Sequence, residues 1–359
     1  MTAGLIRTPF AETTEMVRER VNARLGRFLD AHPLPVADLD VAEGQRLLRR
    51  FVVDGGKRIR PTLCYWGWRG AGGDGEHDDA AITAGAALEL YHAGLLIHDD
   101  VMDGSELRRG RPTMHRSLAR TPDRPMGRAF GDSAAILLGV LAQAWADELI
   151  GEIETDRERL RMVRELFYRM RVEVISGQYL DILASEAAGS PETESALAVT
   201  RFKTAKYTVE RPLQIGAALA SADPALMEAY SRFGVPLGEA FQLRDDILGV
   251  FGDTAVTGKP VLDDLREGKH TVLIAQAFAR ADAAQRELLR AWHGNPGLDE
   301  RHAAELRRII VDTGALGHVE TLIDRRVEQA LDALRDCAID PQARQALTLL
   351  AGLLTDRVR

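Results

Sequence analysis

Cysteine is nearly missing from this sequence: Cys64 and Cys337 are its only two. Two thiols cannot make a disulfide framework and their spacing matches no metal motif, so both read as small apolar fillers in a protein of a reducing compartment. Aromatic residues are scarce at 6%, and alternating apolar and polar runs are scarcer, which leaves little from which to build a sheet. The longest apolar run, "AAILLGVLAQAWA" from Ala134, is expected to fall short of a membrane span. The opening "MTAGLIRTPFAETTEM" has no apolar segment of the signal-peptide kind. The expectation is a cytoplasmic protein without stable membrane insertion, although a greasy substrate could still be drawn from a membrane surface. Excess positive charge is lacking too. A net charge of −8 removes any general attraction to nucleic acid or anionic lipid and leaves phosphate binding to local basic clusters. There is no Walker loop, no dinucleotide fingerprint and no nucleophile elbow.

What is present is helix pattern. Apolar residues recur at spacings of three and four in "AAITAGAALELYHAGLLIHDD", "LRMVRELFYRMRVEVISGQYLDILASE" and "RRVEQALDALRDC". Alanine and leucine supply the bulk, and 45% hydrophobic against 28% charged residues is the balance of a globular chain. Breaks at "RGAGGDGEHDD", "SEAAGSPETES", "SADP", "FGDTAVTGKPVLDDLREGK" and "HGNPG" separate helices without being long enough for interdomain linkers. The expectation is one all-α domain over residues 1–359, with Met1 to about Glu15 loose. Trp66 and Trp68 read as core or interface anchors.

The chemistry lies in charge. Leu88, Tyr91, Leu95 and Leu96 make an apolar stripe that ends in "LIHDDVMDGSELRRGRPTMH", where Asp99 and Asp103 stand one turn apart on one helix face. Two carboxylates there oppose the helix macrodipole and repel each other unless a hard divalent cation lies between them. A second pair, Asp245 and Asp246, follows Gln242 in "GEAFQLRDDILGVFGD". Two such pairs on separate helices suit a cluster of Mg²⁺, which keeps waters and recruits substrate phosphates. Basic residues gather beside turns: Lys57, Arg58 and Arg60 in "GGKRIRP", Arg108, Arg109 and Arg111 in "LRRGRP", Lys203 in "FKTAKY", Lys259 in "TGKP" and Lys269 in "EGKH". Arginine forks and lysine point charges suit phosphate oxygens, and neighbouring glycines let the backbone approach. His92, about two turns before Asp99, could donate to a phosphate; a satisfied core histidine explains the same pattern. His98 reads as packing.

Six motifs in this order, "GGKRIRP", "LIHDDVMDGSELRRGRPTMH", "KTAKY", "FQLRDDILGVFGD", "TGKP" and "EGKHT", make most of the chain resemble the trans-isoprenyl diphosphate synthases of the polyprenyl synthetase family. The resemblance implies an all-helical isoprenoid synthase fold around a central cavity, a homodimer, and three Mg²⁺ ions. It implies that Asp99 and Asp103 bind two Mg²⁺ on an allylic diphosphate and Asp245 a third, with Asp100 and Asp246 in support. Arg108, Lys203 and Lys259 would contact that diphosphate, with Thr204, Gln242 and Lys269 as second contacts. Lys57, Arg60, His92 and Arg109 would hold isopentenyl diphosphate without metal. The family's second motif often ends in a further aspartate where this chain has Gly249; with the third metal expected at Asp245, activity is expected to survive that change.

The implied reaction ionises the allylic C–O bond, lets the isopentenyl alkene attack C1, and loses a proton to the departing diphosphate. In such enzymes the residues four and five places before the first aspartate set the cavity floor. Here they are Leu95 and Gly94. With no aromatic there, geranylgeranyl diphosphate (C20) is the expected product, ahead of farnesyl (C15) or a longer polyprenyl chain, and phenylalanine at Gly94 is expected to shorten it. A class I terpene cyclase would not need "GGKRIRP" or Arg109. A noncatalytic subunit would not need both aspartate motifs, and a helical scaffold would bind neither Mg²⁺ with diphosphate nor isoprenoid.

Overall fold

The computed structural model describes residues 9–75, 77–121, 124–186, 190–252 and 263–356. Helices dominate, as the periodicity requires, and the only strands among these residues are two-residue hairpin pairs. The backbone divides into two compact units.

The first unit comprises residues 1–165, 212–222 and 339–346. It holds α1 (Pro9–Ala31), α2 (Leu39–Val53), α3 (Ile59–Gly70), α4 (Asp79–Met102), α5 (Met114–Leu118) and α6 (Arg128–Gly151). The helix α1 begins at Pro9. Asp38 starts α2 by accepting hydrogen bonds from the Asp40 and Val41 amides at 2.9 and 3.2 Å, which satisfies two amides that a helix start leaves open. The core of this unit packs Val21 and Leu25 of α1, Leu63 and Trp66 of α3, and Leu88, Leu90 and Tyr91 of α4. Cys64 lies there as filler, its thiol pushed up to about 12 by burial. Helices α4 and α6 pack against each other. The run at Ala134 forms part of α6, which at 24 residues is long and apolar enough to cross a membrane, correcting the expectation above. So is α4, whose apolar window is 78% buried inside the protein.

The second unit comprises residues 166–211, 223–338 and 347–359. Most of α7 (Arg157–Glu186) belongs to it, followed by α8 (Thr193–Val199) and a π-helix over Thr200–Glu210. Beyond α9 (Arg211–Leu219) come α10 (Pro224–Phe251), α11 (Asp263–Arg266), α12 (Val272–Arg280), α13 (Ala283–Trp292), α14 (Glu300–Asp312), α15 (Ala315–Arg335) and α16 (Pro341–Thr355). Asp223 caps α10 on the Leu226 amide at 2.8 Å, with Pro224 in the first turn where its missing N–H costs nothing. One core joins Leu243, Ile247 and Val250 of α10 to Leu273 and Ile274 of α12, Ile310 of α14 and Val319 of α15. The π-helix approaches α7 so closely that a Cβ on Gly177 would lie 2.3 Å from the Lys203 amide nitrogen. Glycine is therefore required at that crossing.

Candidate active site

In the first unit, α4 sorts its last turns by burial. Asp100 is wholly buried, whereas His92, Leu95, Leu96, Asp99 and Asp103 are partly exposed. Arg108 explains the buried charge. Its Nε donates to both Asp100 oxygens at 2.7 and 2.8 Å, its Nη2 lies 2.6 Å from Oδ1, and the same Nη2 is 3.5 Å from Asp99. Burial works against the Arg108 charge, but the Asp100 bond and charge outweigh it and raise its pKa. Asp100 is thus a salt-bridged support. Asp99 and Asp103, partly exposed and one turn apart, are hard oxygen donors of a kind that fits Mg²⁺.

Arg109 follows in a tight hairpin whose strands pair Leu107 with Pro112 and Arg108 with Arg111. Its two turn residues, Arg109 and Gly110, both have positive φ, 54° and 71°. Such a turn ordinarily takes Asn-Gly, so an arginine held there accepts strain of about 1–2 kcal/mol to aim its guanidinium. That guanidinium covers Gly55 and Gly56. A cavity of about 170 Å³ beside it is lined by Gly55, Arg108 and Arg109, and by Arg50 and Phe51 of α2; Arg50 is a member that no sequence motif singles out.

Arg58 behaves differently from its neighbours. It is buried at a left-handed backbone position (φ 51°, ψ 39°) and donates to Glu89 Oε2 at 2.7 Å, Asn22 Oδ1 at 2.8 Å and the Val52 carbonyl at 2.6 Å. It anchors the "GGKRIRP" loop, leaving Lys57 exposed and Arg60 partly exposed in the first turn of α3. His92 stands among these charges. Burial first, then Arg60, Arg109, Arg108 and Arg58, hold its pKa well below 6.5. The imidazole is neutral near pH 7 and can give one N–H to an anion. Burial, with Arg108 and Arg58 nearby, lowers the pKa of Arg109 despite the opposing pull of Glu89. Glu89 and Asp100 balance the charges of Arg58 and Arg108, so Arg60 and Arg109 supply the positive charge near this neutral histidine, a setting suited to a diphosphate without metal.

Gly94 lies on the far side of α4 from Asp99. A Cβ there would sit 2.7 Å from the Gly139 carbonyl oxygen and 2.9 Å from Gln143 Cγ of α6, so its smallness serves the α4–α6 crossing. Leu95 keeps partial exposure on the Asp99 face. His98 packs on α6, as its placement suggested, with Nε2 3.0 Å from the Ile136 carbonyl.

In the second unit, Lys203 donates to Asp181 Oδ2 of α7 at 2.6 Å. Sequence reasoning missed Asp181, although Gln178 and Asp181 stand one turn apart in "GQYLD" and could have flagged a polar face on an apolar helix. Thr204 Oγ1 donates to Gln242 Oε1 at 2.7 Å, and Gln242 Nε2 donates to Asp246 Oδ1 at 2.8 Å. This relay ties the π-helix to the second aspartate pair and orients Asp246. Asp245, beside it, is a partly exposed carboxylate that also fits a hard cation. Lys269 Nζ lies 2.8 Å from Glu267. Lys259 lies outside the described residues.

Comparison with known proteins agrees with this chemistry. The polyprenyl synthetase family model matches residues 42–310. Geranylfarnesyl diphosphate synthase of Aeropyrum pernix is 36% identical over 313 residues, 85% of this chain and 91% of that protein. Geranylgeranyl diphosphate synthase of Mycobacterium tuberculosis is 35% identical over 290 residues, 80% and 77% of the two chains. The crystal structure of geranylgeranyl pyrophosphate synthase from Corynebacterium glutamicum, complexed with isoprenyl diphosphate and magnesium, superposes with a TM-score of 0.89 at 40% identity, covering 99% of this chain and 100% of that one. With the six motifs, the paired aspartates and the arginine cluster in one predominantly helical chain, these matches have one consequence: the chain belongs to the polyprenyl synthetase family and is a trans-prenyltransferase that makes a prenyl diphosphate.

Proposed function

We propose that the enzyme condenses isopentenyl diphosphate with allylic diphosphates to give geranylgeranyl diphosphate (C20) as its main product, working as a cytoplasmic homodimer with one synthase domain per chain. The observation that carries the two-diphosphate reading is neutral His92 held near Arg60 and Arg109. A cyclase, with a single diphosphate, would have no use for it. Lys57, Arg60, His92 and Arg109 bind isopentenyl diphosphate, with Arg109 presented by its strained turn. Asp99, Asp103 and Asp245 would hold three Mg²⁺, which would supply positive charge to the departing diphosphate. Asp100 acts through Arg108, and Asp246 through Gln242 and Thr204. Lys203, Lys259 and Lys269, with Arg108, orient the allylic diphosphate so that its C1 faces the alkene. Apolar side chains on α4 keep water from the carbocation, which it would otherwise quench.

Gly94 and Leu95 play different parts in product length. Leu95 shares the face of Asp99 and meets the growing tail, while Gly94 lets α6 approach. The test is to incubate purified enzyme with Mg²⁺, isopentenyl diphosphate and, separately, dimethylallyl, geranyl and farnesyl diphosphates, and to weigh the dephosphorylated products. The wild type should give mainly a C20 alcohol. Leu95→Phe should move the main product toward C15, whereas Gly94→Phe should lower stability by about 1–3 kcal/mol through overpacking. An unchanged product from a well-folded Leu95→Phe enzyme would move the floor to another helix.

The homodimer is supported by an exposed apolar seam on α7. Tyr168, Val172, Ile175, Tyr179 and Leu183 recur at spacings of three and four, with Val172 66% and Tyr179 64% exposed, a pattern that asks for a helical partner. Ile136, Leu137 and Val140 of α6 are also exposed. Val172→Glu should convert a dimer to monomer in sedimentation velocity without loss of helix content. A wild-type monomer at tens of micromolar would refute the dimer.

A further inference from the structure

The turn "HGNPG" has no role in the chemistry above, yet it grips the turn that carries Lys269 from both sides. His293 Nε2 lies 3.2 Å from the Lys269 backbone carbonyl, to which it donates. The Gly294 amide donates to the Leu265 carbonyl at 2.8 Å. Between these bonds the two turns touch: Gly268 and Gly294 have φ of 69° and 79°, and a Cβ on Gly268 would lie 2.8 Å from Gly294 Cα. The His293 ring also stacks on His270 with centroids 6.1 Å apart and meets the edge of Phe278 at 6.3 Å. Burial first, then His270, pushes the pKa of His293 down to about 4. Its imidazole is therefore neutral near pH 7, and its one N–H is committed to the lysine's carbonyl.

We propose that His293 is a positioning residue for Lys269, fixing the backbone of the "EGKHT" turn so that the ammonium is presented to the allylic diphosphate. This rests on the reading of Lys269 as a diphosphate contact. Lysine is a point charge on a flexible stem, and the ordering it must undergo on binding is smaller when its own backbone is already held. Glu267 restrains the other end, 2.8 Å from Nζ. The clamp spans a turn outside the six motifs and the "EGKHT" motif, so neither segment signals it alone.

The experiment compares the full-length wild type with His293→Leu, His293→Gln, Lys269→Ala and the double variant His293→Leu/Lys269→Ala, after circular dichroism has shown equal helix content. The loss of one hydrogen bond should raise the KM for the allylic diphosphate of His293→Leu by about 5- to 10-fold. The KM for isopentenyl diphosphate should be unchanged and kcat within about threefold, a split that general loosening would not give. His293→Gln, which keeps an N–H donor, should restore the wild-type KM. In the Lys269→Ala background His293→Leu should cost nothing further, because both act through one group. An unchanged KM, an equal rise for both substrates, no rescue by Gln, or additive losses would each overturn the proposal. If Lys269→Ala itself leaves the allylic KM unaltered, the diphosphate role of Lys269 is what fails, and the clamp's purpose with it.

Discussion

Asp103→Asn is expected to lower kcat on the order of 10³-fold, about 4 kcal/mol of transition-state stabilisation, while leaving the protein slightly more stable. The two effects have opposite signs for one reason. Asp103 ends α4 as its C-cap residue, with its amide donating to the Asp99 carbonyl at 2.9 Å. A carboxylate at a helix C-terminus is disfavoured by the macrodipole, so neutralising it stabilises the fold by roughly 0.5 kcal/mol. In the proposed function that unfavourable charge, one turn from Asp99, completes an oxygen pair for Mg²⁺. Steady-state turnover across a Mg²⁺ titration, with thermal melting beside it, measures both. A kcat within tenfold of wild type at saturating Mg²⁺ would remove Asp103 from the metal site.

Glu89→Leu is expected to destabilise the first unit by about 3–5 kcal/mol, the usual cost of leaving a buried charge without its partner. The stranded charge is Arg58, 4% exposed like Glu89 itself. The remaining acceptors of Arg58, Asn22 and the carbonyls of Val52 and Val53, are neutral and cannot balance it. Arg58 also sits in left-handed backbone at roughly 1–2 kcal/mol of strain, so weakening its anchor should loosen the "GGKRIRP" loop and raise the KM for isopentenyl diphosphate. Arg58→Met combined with Glu89→Leu should recover much of the stability, since an apolar pair has no charge to strand, but not the loop geometry or the KM. Chemical denaturation of the wild type, the two single variants Glu89→Leu and Arg58→Met, and the double variant tests this, and a loss under about 1 kcal/mol for Glu89→Leu would show that the pair contributes little.

Much of the candidate site was legible in the chain alone. Asp99 and Asp103, Lys203, Asp245 and the arginine groups stood out because helix periodicity is local: residues three or four apart share a face whatever the rest of the protein does. The helical class followed from the same rule. Other assignments depended on partners far away in sequence. Arg58 and Arg109 are the same residue type in neighbouring motifs, yet one is a buried anchor and the other covers a glycine loop above a cavity. Glu89, 31 residues from Arg58, decides the first, and the positive φ of a two-residue turn decides the second. Asp181 is 22 residues from the Lys203 it pairs with, and nothing near either residue names the other.

Gly94 illustrates the same division. Its place five residues before Asp99 marked it for product length, but five residues turn a helix by about 140° beyond a full circle, away from the aspartate face. Only the packing of α6 shows what lies there, a carbonyl oxygen 2.7 Å from where a side chain would begin. By itself the sequence determined the fold class, the family and the kind of chemistry, because these follow from residue type and short-range spacing. The tertiary structure decided which charges are buried in ion pairs, which stay partly exposed, and which glycine is space for a neighbouring helix, because burial and electrostatic partnership are properties of atoms brought together across long stretches of chain.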